Sequence, residues 1–137
     1  MISKILIACE ESQTVTNAFR ALGFKAFSCD LLPCSGGNPQ WHIQGDAIKE
    51  AYSGKYQMMI AHPPCTYLTV TGNKWMKAEY RDRFPHRAEK RENAIAFFIK
   101  LFYAPIPSVA IENPVGVISS RSFSFRRPTF KKNRMVA

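Results

Sequence analysis

No stretch of this sequence is apolar for long enough to cross a membrane; a spanning helix needs about 20 such residues. Cys9, Cys29, Cys34 and Cys65 are scattered and lack the paired Cys-x-x-Cys spacing of a structural zinc site. His62 and Cys65 stand three apart, compatible with a metal, but no second pair joins them, and no metal is expected. Internal repeats and low-complexity segments are absent. No signal peptide is read at the start, because Lys4-Ile5-Leu6-Ile7 is already strand-like, which predicts a cytoplasmic protein with reduced thiols. Acids are scarce: 10 Asp and Glu stand against 19 Lys and Arg, for a net charge of +9. Six of the basic residues, Arg121, Arg126, Arg127, Lys131, Lys132 and Arg134, crowd the last segment with no acid among them. Such an excess favours polyanionic partners, nucleic acid first. The plainer role of a basic tail is solubility.

What is present fits one α/β domain. The 137 residues are 46% hydrophobic, and a mean hydropathy of −0.19 describes a globular chain. Lys4–Ala8 reads as a short buried strand. Val15, Ala18, Phe19 and Leu22 give Thr14–Leu22 one apolar helical face. Ser12 or Thr14 is the expected cap, and Gly23 the terminator. Phe24–Cys29 is a second strand, with Asp30 directly after it. Strand, turn, helix, strand and acid form the first half of a nucleotide-binding unit. Its glycine-rich turn is missing, however, and Cys9-Glu10-Glu11-Ser12-Gln13 stands there instead. Two carboxylates beside a helix N-terminus repel phosphate. That disfavours a dinucleotide and leaves room for a cofactor without phosphates near this turn, or for one with a positive centre.

Leu31–Trp41 is rich in turn formers. Trp41 and His42 either meet a ligand base or plug this loop onto the sheet. Asp46 opens a short helical piece, as an N-cap or as a ligand acceptor. Met58-Met59-Ile60-Ala61 reads as a central strand buried on both faces. Pro63 and Pro64 end it and hand Cys65 to a loop at the sheet's carboxyl edge, where open α/β sheets bind ligands. Cys65 is a candidate nucleophile there, against the alternative of a small apolar filler. Asn73–Phe84 interleaves Lys74, Trp75, Lys77, Tyr80, Arg81, Arg83 and Phe84, a pattern suited to stacking on and neutralising nucleic acid. His86–Tyr103 is a helix with Ala94, Phe97, Phe98, Leu101 and Phe102 on one face and Arg87, Lys90, Arg91 and Glu92 on the other. Val109–Ile111 is a further strand, ending in Glu112-Asn113. Glu112 and Cys65 are thereby expected on neighbouring strand ends facing one pocket.

His62-Pro63-Pro64-Cys65 and Ala110-Ile111-Glu112-Asn113-Pro114-Val115, in this order after successive strands, resemble the Pro-Cys and Glu-Asn-Val motifs of C5-cytosine DNA methyltransferases. The chain is most similar to the small phage-encoded methyltransferase-like proteins related to them. The resemblance spans Lys4 to about Gly116. It implies a three-layer Rossmann-like fold of the class I methyltransferase type, with a mostly parallel sheet truncated to about five strands in the order 3-2-1-4-5. Strand 5 would then need a cover from the tail, or a second chain paired along it as a homodimer. Residues 1–118 would form the domain and 119–137 a basic tail. By the same resemblance Cys65 attacks C6 of a cytosine, with Glu112 and Asn113 completing the catalytic set. S-adenosylmethionine would be bound by Cys9, Glu10 and Ser12 of the first turn, by Asp30 at its ribose, by Asp46 at its adenine amine, and by Pro64. Lys74, Arg81, Arg83, Arg126, Arg127, Lys131 and Lys132 are the expected nucleic-acid contacts. Thr66 stands where the family's Pro-Cys motif has glutamine, and Pro114 precedes the valine of the Glu-Asn-Val motif.

Two kinds of function follow. One is a phage methyltransferase-like protein in the bacterial cytoplasm, either methylating cytosine or binding nucleic acid or nucleotide without turnover. The other is a non-enzymatic phage module that captures a host factor or a nucleotide. An inactive product with a non-native tail is a third reading.

Overall fold

The computed structural model describes residues 4–68, 77–78, 83–112, 118 and 134–136. The elements run β1 (Ile5–Ala8), α1 (Thr14–Ala21), β2 (Ala26–Asp30), a 3-10 turn (Pro39–Trp41), β3 (His42–Gln44), α2 (Ala47–Ala51), β4 (Met58–Ala61), α3 (Arg87–Phe102), β5 (Ser108–Ile111) and β6 (Arg134–Val136). The strands form one sheet in the order β3-β2-β1-β4-β5-β6, and every pairing is parallel. The first five strands thus take the order 3-2-1-4-5 of a Rossmann-like sheet. The sequence carries no recognisable signal for β6. It comes from the segment read as a basic tail, and it occupies the β5 edge. The outer strands of the sheet are therefore β3 and β6, and the edge considered for a second chain is filled from within.

Helices lie on both faces. On one face Leu6, Ala8, Cys29, Met59, Ala61, Val109 and Ile111 are buried with Ile95, Phe98 and Leu101 of α3 and Ala47 and Ala51 of α2. Each large apolar side chain buried there contributes about 1.5–3 kcal/mol. On the other face Ile5, Ile7 and Ala26 pack with Val15 and Phe19 of α1, and with Met58 and Ile60. This corrects the expectation for β4. Only Met59 and Ala61 are fully buried, whereas Met58 and Ile60, on the α1 face, are half-buried. The eight-residue α1 is too short to cover both central strands completely.

The register fixes the carboxyl rim. Ala8 pairs with Cys29 and with Ala61, and Ala61 pairs with Ile111. Asp30, Cys9, His62 and Glu112 therefore each occupy the first position beyond one aligned row. Cys9, His62 and Glu112 continue the ladder, donating their N–H groups to Cys29 O at 2.7 Å, Ala8 O at 3.0 Å and Ala61 O at 3.0 Å. The chain leaves β1 towards β2 through α1, whereas β4 lies on the other side of β1. The crevice between the β1 and β4 ends is thus the topological switch point, the usual ligand position of such sheets.

Candidate functional site

The turn after β1 is built without glycine, yet it adopts glycine-like backbone. Cys9 and Gln13 have φ of 62° and 58°, the left-handed region that non-glycine residues enter at some cost. Interactions elsewhere in the turn offset that cost. Glu10 is buried, and its carboxylate accepts from Val15 N at 2.6 Å and from Thr16 N and Oγ1 at 3.1 and 2.7 Å. Glu10, not Ser12 or Thr14, therefore satisfies the free N–H groups at the start of α1. Ser12 and Thr14 instead bond each other at 3.2 Å. Gln13 is fully buried; its amide donates to Ser28 Oγ and Asn38 O and accepts from Asn38 N.

This network holds the Leu31–Trp41 loop against the turn. Ser35 bonds both the carbonyl and the carboxylate of Glu11. Gly36 lies so close that a Cβ there would sit 2.4 Å from Gln13 Cβ and from Ser12 O. Of the two roles open to Trp41 and His42, the contacts are those of packing. The Arg20 guanidinium lies 4.5 Å above the Trp41 ring. His42 bonds Ser28 Oγ at 2.8 Å through Nδ1 and Leu32 O at 2.9 Å through Nε2.

Two cavities share this rim. One, of about 250 Å3, is lined by Cys9, Asp30 and Asp46 with apolar walls that include Pro64, Ala94 and Phe97. The other, of about 280 Å3, is lined by Cys9, Glu10, Glu11, Ser12, Asp30 and His62. All six residues assigned to a cofactor, Cys9, Glu10, Ser12, Asp30, Asp46 and Pro64, line one or both. Asp30 Oδ1 accepts from Leu32 N at 2.9 Å. Asp46 caps α2, its Oδ1 accepting from Ile48 N at 2.9 Å. The second oxygen of each carboxylate has no protein partner among the described residues. Burial, reinforced by Asp30, Cys29 and Asp46, pushes the Cys9 thiol up to about 12. Cys9 is therefore a neutral wall at physiological pH.

Cys65 is exposed, four residues beyond the aligned end of β4, and neither of these cavities includes it. Glu112 is the first residue after the adjacent strand β5, and it is exposed as well. The two thus follow neighbouring strands, Glu112 directly and Cys65 four residues on, and neither lines one of these cavities. Glu112 Oε2 instead meets His62 Nδ1 at 3.0 Å. His62 Nε2 is buried with no hydrogen-bond partner among the described residues. Arg83 is exposed in the turn before α3. Asn113, Lys74, Arg81, Arg126, Arg127, Lys131 and Lys132 lie outside the described residues.

No family model, curated protein or solved structure matches this chain.

The sequence reading missed three parts of the site. Ala94 and Phe97 looked like core positions because a helix's apolar face does not distinguish core from cavity wall. Glu10 as a cap was hidden because it lies well before the helix, outside the usual capping positions. The pairing of His62 with Glu112 was foreshadowed only by both residues immediately following apolar strands. Among the described residues no helix is long and apolar enough to cross a membrane.

Proposed function

We propose that this chain is a methyltransferase-like protein that takes S-adenosylmethionine at the β1–β4 switch point and a cytosine of a nucleic acid beside Cys65. The observation that carries the reading is the convergence of Cys9, Glu10, Ser12, Asp30, Asp46 and Pro64, drawn from four separate segments, on two adjoining cavities. The donor set suits that cofactor better than it suits a dinucleotide. The N–H groups of Val15 and Thr16 are already taken by Glu10, so the seat that Rossmann folds give to a pyrophosphate is filled. Glu10, Glu11, Asp30 and Asp46 make the rim acidic, which favours a cationic centre. The free carboxylate oxygens of Asp30 and Asp46 would accept from the ribose hydroxyls and the adenine amine, and Pro64, Ala94 and Phe97 would flank the ring. When bound, the cofactor supplies an electrophilic methyl group.

The chain's own residues prepare the base. The Cys65 thiolate adds its electron pair to C6, forming the S–C6 bond as the C5–C6 π bond opens and charge moves toward N3. Glu112 stabilises N3 by a hydrogen bond or a proton. His62 holds Glu112; while that acid is ionised, Nδ1 is the donor. Once C5 carries the methyl group, loss of its proton to solvent expels the Cys65 thiolate and restores the 5,6 double bond. A duplex target would have to be flipped out of its stack.

Two measurements test this reading. Calorimetry with S-adenosylmethionine should show saturable heat, and none at millimolar ligand removes the proposal. DNA carrying 5-fluorocytosine should form a covalent adduct that disappears in Cys65→Ser.

A further inference from the structure

A third cavity, of about 240 Å3, opens at the start of α3 and has the opposite charge to the rim. Arg83, Arg87 and Lys90 line it with His86, Tyr67 and Phe84. The three cations are spaced four and three apart, so α3 and the turn before it present them on one side. The Arg87 guanidinium and Lys90 Nζ lie 5.0 and 5.9 Å from the Tyr67 ring centre, and Arg83 lies 5.7 Å from that of Phe84. Their charges are not neutralised locally, since the described ion pairs include none of the three. Glu89, in the same helical turn, faces His86 at 3.6 Å instead. Arg87 Nε is buried without a hydrogen-bond partner among the described residues, a cost that an incoming acceptor would remove. No side chain caps the first turn of α3, so the helix adds to the same positive field.

Three cations in one concavity, with no ion-pair partner among the described residues, call for an anion with several acceptor oxygens. The guanidinium fork matches phosphate geometry. Tyr67, the aromatic floor under Arg87 and Lys90, stands two residues beyond Cys65. The segment from His62 to Tyr67 therefore leads from the acidic rim to this basic cavity.

We propose that the cavity formed by Tyr67, Arg83, Arg87 and Lys90 is a phosphate-binding subsite that seats a backbone phosphate of a single nucleic-acid strand next to Cys65. It rests on the reading above only for what carries the phosphate. Charge separation along the loop divides the work. The acidic rim rejects phosphate, and the basic cavity accepts it.

The test uses the full chain and needs neither cofactor nor covalent chemistry. The side-chain Nε–Hε resonance of Arg87, assigned by its loss in Arg87→Lys, is followed by NMR during titration with inorganic phosphate and with a cytosine-containing single-stranded oligonucleotide. Both should shift it, and the oligonucleotide should bind at least tenfold more tightly. Lys90 is exposed, so Lys90→Gln should fold normally and reduce the salt slope of oligonucleotide binding by about 0.7. An unmoved Arg87 signal, or an unchanged slope in Lys90→Gln, overturns the subsite. Equal affinity for phosphate and oligonucleotide overturns the strand as its ligand. If the subsite binds while 5-fluorocytosine forms no adduct, methyl transfer fails and the phosphate site stands.

Discussion

Nδ1 of His62 and Oε2 of Glu112 lie 3.0 Å apart across adjacent parallel strands. Each is the first residue past the end of its strand, so backbone register alone brings them together. Removing the imidazole in His62→Ala leaves Glu112 free to rotate. Formation of the 5-fluorocytosine adduct should slow on the order of a hundredfold, the scale of a misplaced catalytic group. His62→Asn, which keeps a donor near Nδ1, should recover part of the loss. Because Glu112 is exposed and His62 only half-buried, the unfolding free energy of either variant, measured in urea, should stay within about 1 kcal/mol of wild type. An adduct rate unaffected by His62→Ala would make the pair a surface contact only.

Glu10 carries a larger share of stability. Its buried carboxylate accepts three hydrogen bonds at the head of α1. Glu10→Ala should cost about 2–3 kcal/mol, as expected for lost charge-assisted bonds that leave donors unpaired. Glu10→Gln should cost less. Equilibrium urea unfolding measures both, and a neutral Glu10→Ala would refute the capping role.

Gly36 tests how tightly the loop is seated. A methyl group at this position meets Gln13 Cβ and Ser12 O at 2.4 Å, and Ser12 O belongs to a turn held by its own network. Gly36→Ala should therefore destabilise by about 1–3 kcal/mol, the range for overpacking, and should weaken cofactor binding by shifting the Cys9–Gln13 turn. Calorimetry and thermal unfolding on the same sample separate the two effects.

The cysteines should differ sharply in chemistry. Burial pushes both Cys9 and Cys29 up to about 12, with Asp30 and Asp46 reinforcing Cys9 and Glu50, Asp30 and Asp46 reinforcing Cys29. Between the ordinary value of 9.0 and about 12 the unfolded chain releases these protons while the folded chain keeps them. Stability should therefore fall as pH rises through that window. Iodoacetamide at pH 8 should label the exposed Cys65 well before Cys29, as read by peptide mass spectrometry. The alkaline loss of stability should flatten in Cys9→Ala/Cys29→Ala. Labelling of Cys29 ahead of Cys65 would contradict the burial described here.

Filling the apolar side of the first cavity offers a test independent of acids. Ala94 is half-buried on α3 and faces that space. Ala94→Phe should reduce S-adenosylmethionine affinity at least tenfold in calorimetry while α3 keeps its helical circular dichroism. Undiminished affinity would place the cofactor elsewhere.

Where one physical signal dominated, the sequence was readable. Met58–Ala61 is an unbroken apolar run closed by two prolines, and its strand bounds coincide with the structure. Arg87–Phe102 follows from helical periodicity halted by Pro105, and Asp46 from its capping chemistry. His42–Gln44 and Arg134–Val136 were not legible, because three-residue strands exist through pairing with a neighbour and carry no period of their own. The basic cavity was half legible. Arg87 and Lys90 lie on the polar face of α3, and only the return of Tyr67 against them distinguishes a binding wall from a solvated one.

The placement of Asp30, Cys9, His62 and Glu112 one step past a single aligned row ties chemistry to folding. A strand that slipped by one residue would carry the side chains packed under α2 and α3 to the α1 face and the reverse, so a misaligned sheet is penalised by the whole interior before the rim is disturbed. Short insertions within β1, β2, β4 or β5 should therefore be rejected as unfolded protein, whereas an insertion at the exposed Thr66, past the aligned row, leaves that register intact. Variation in what this molecule recognises is thereby channelled into exposed segments past the rim.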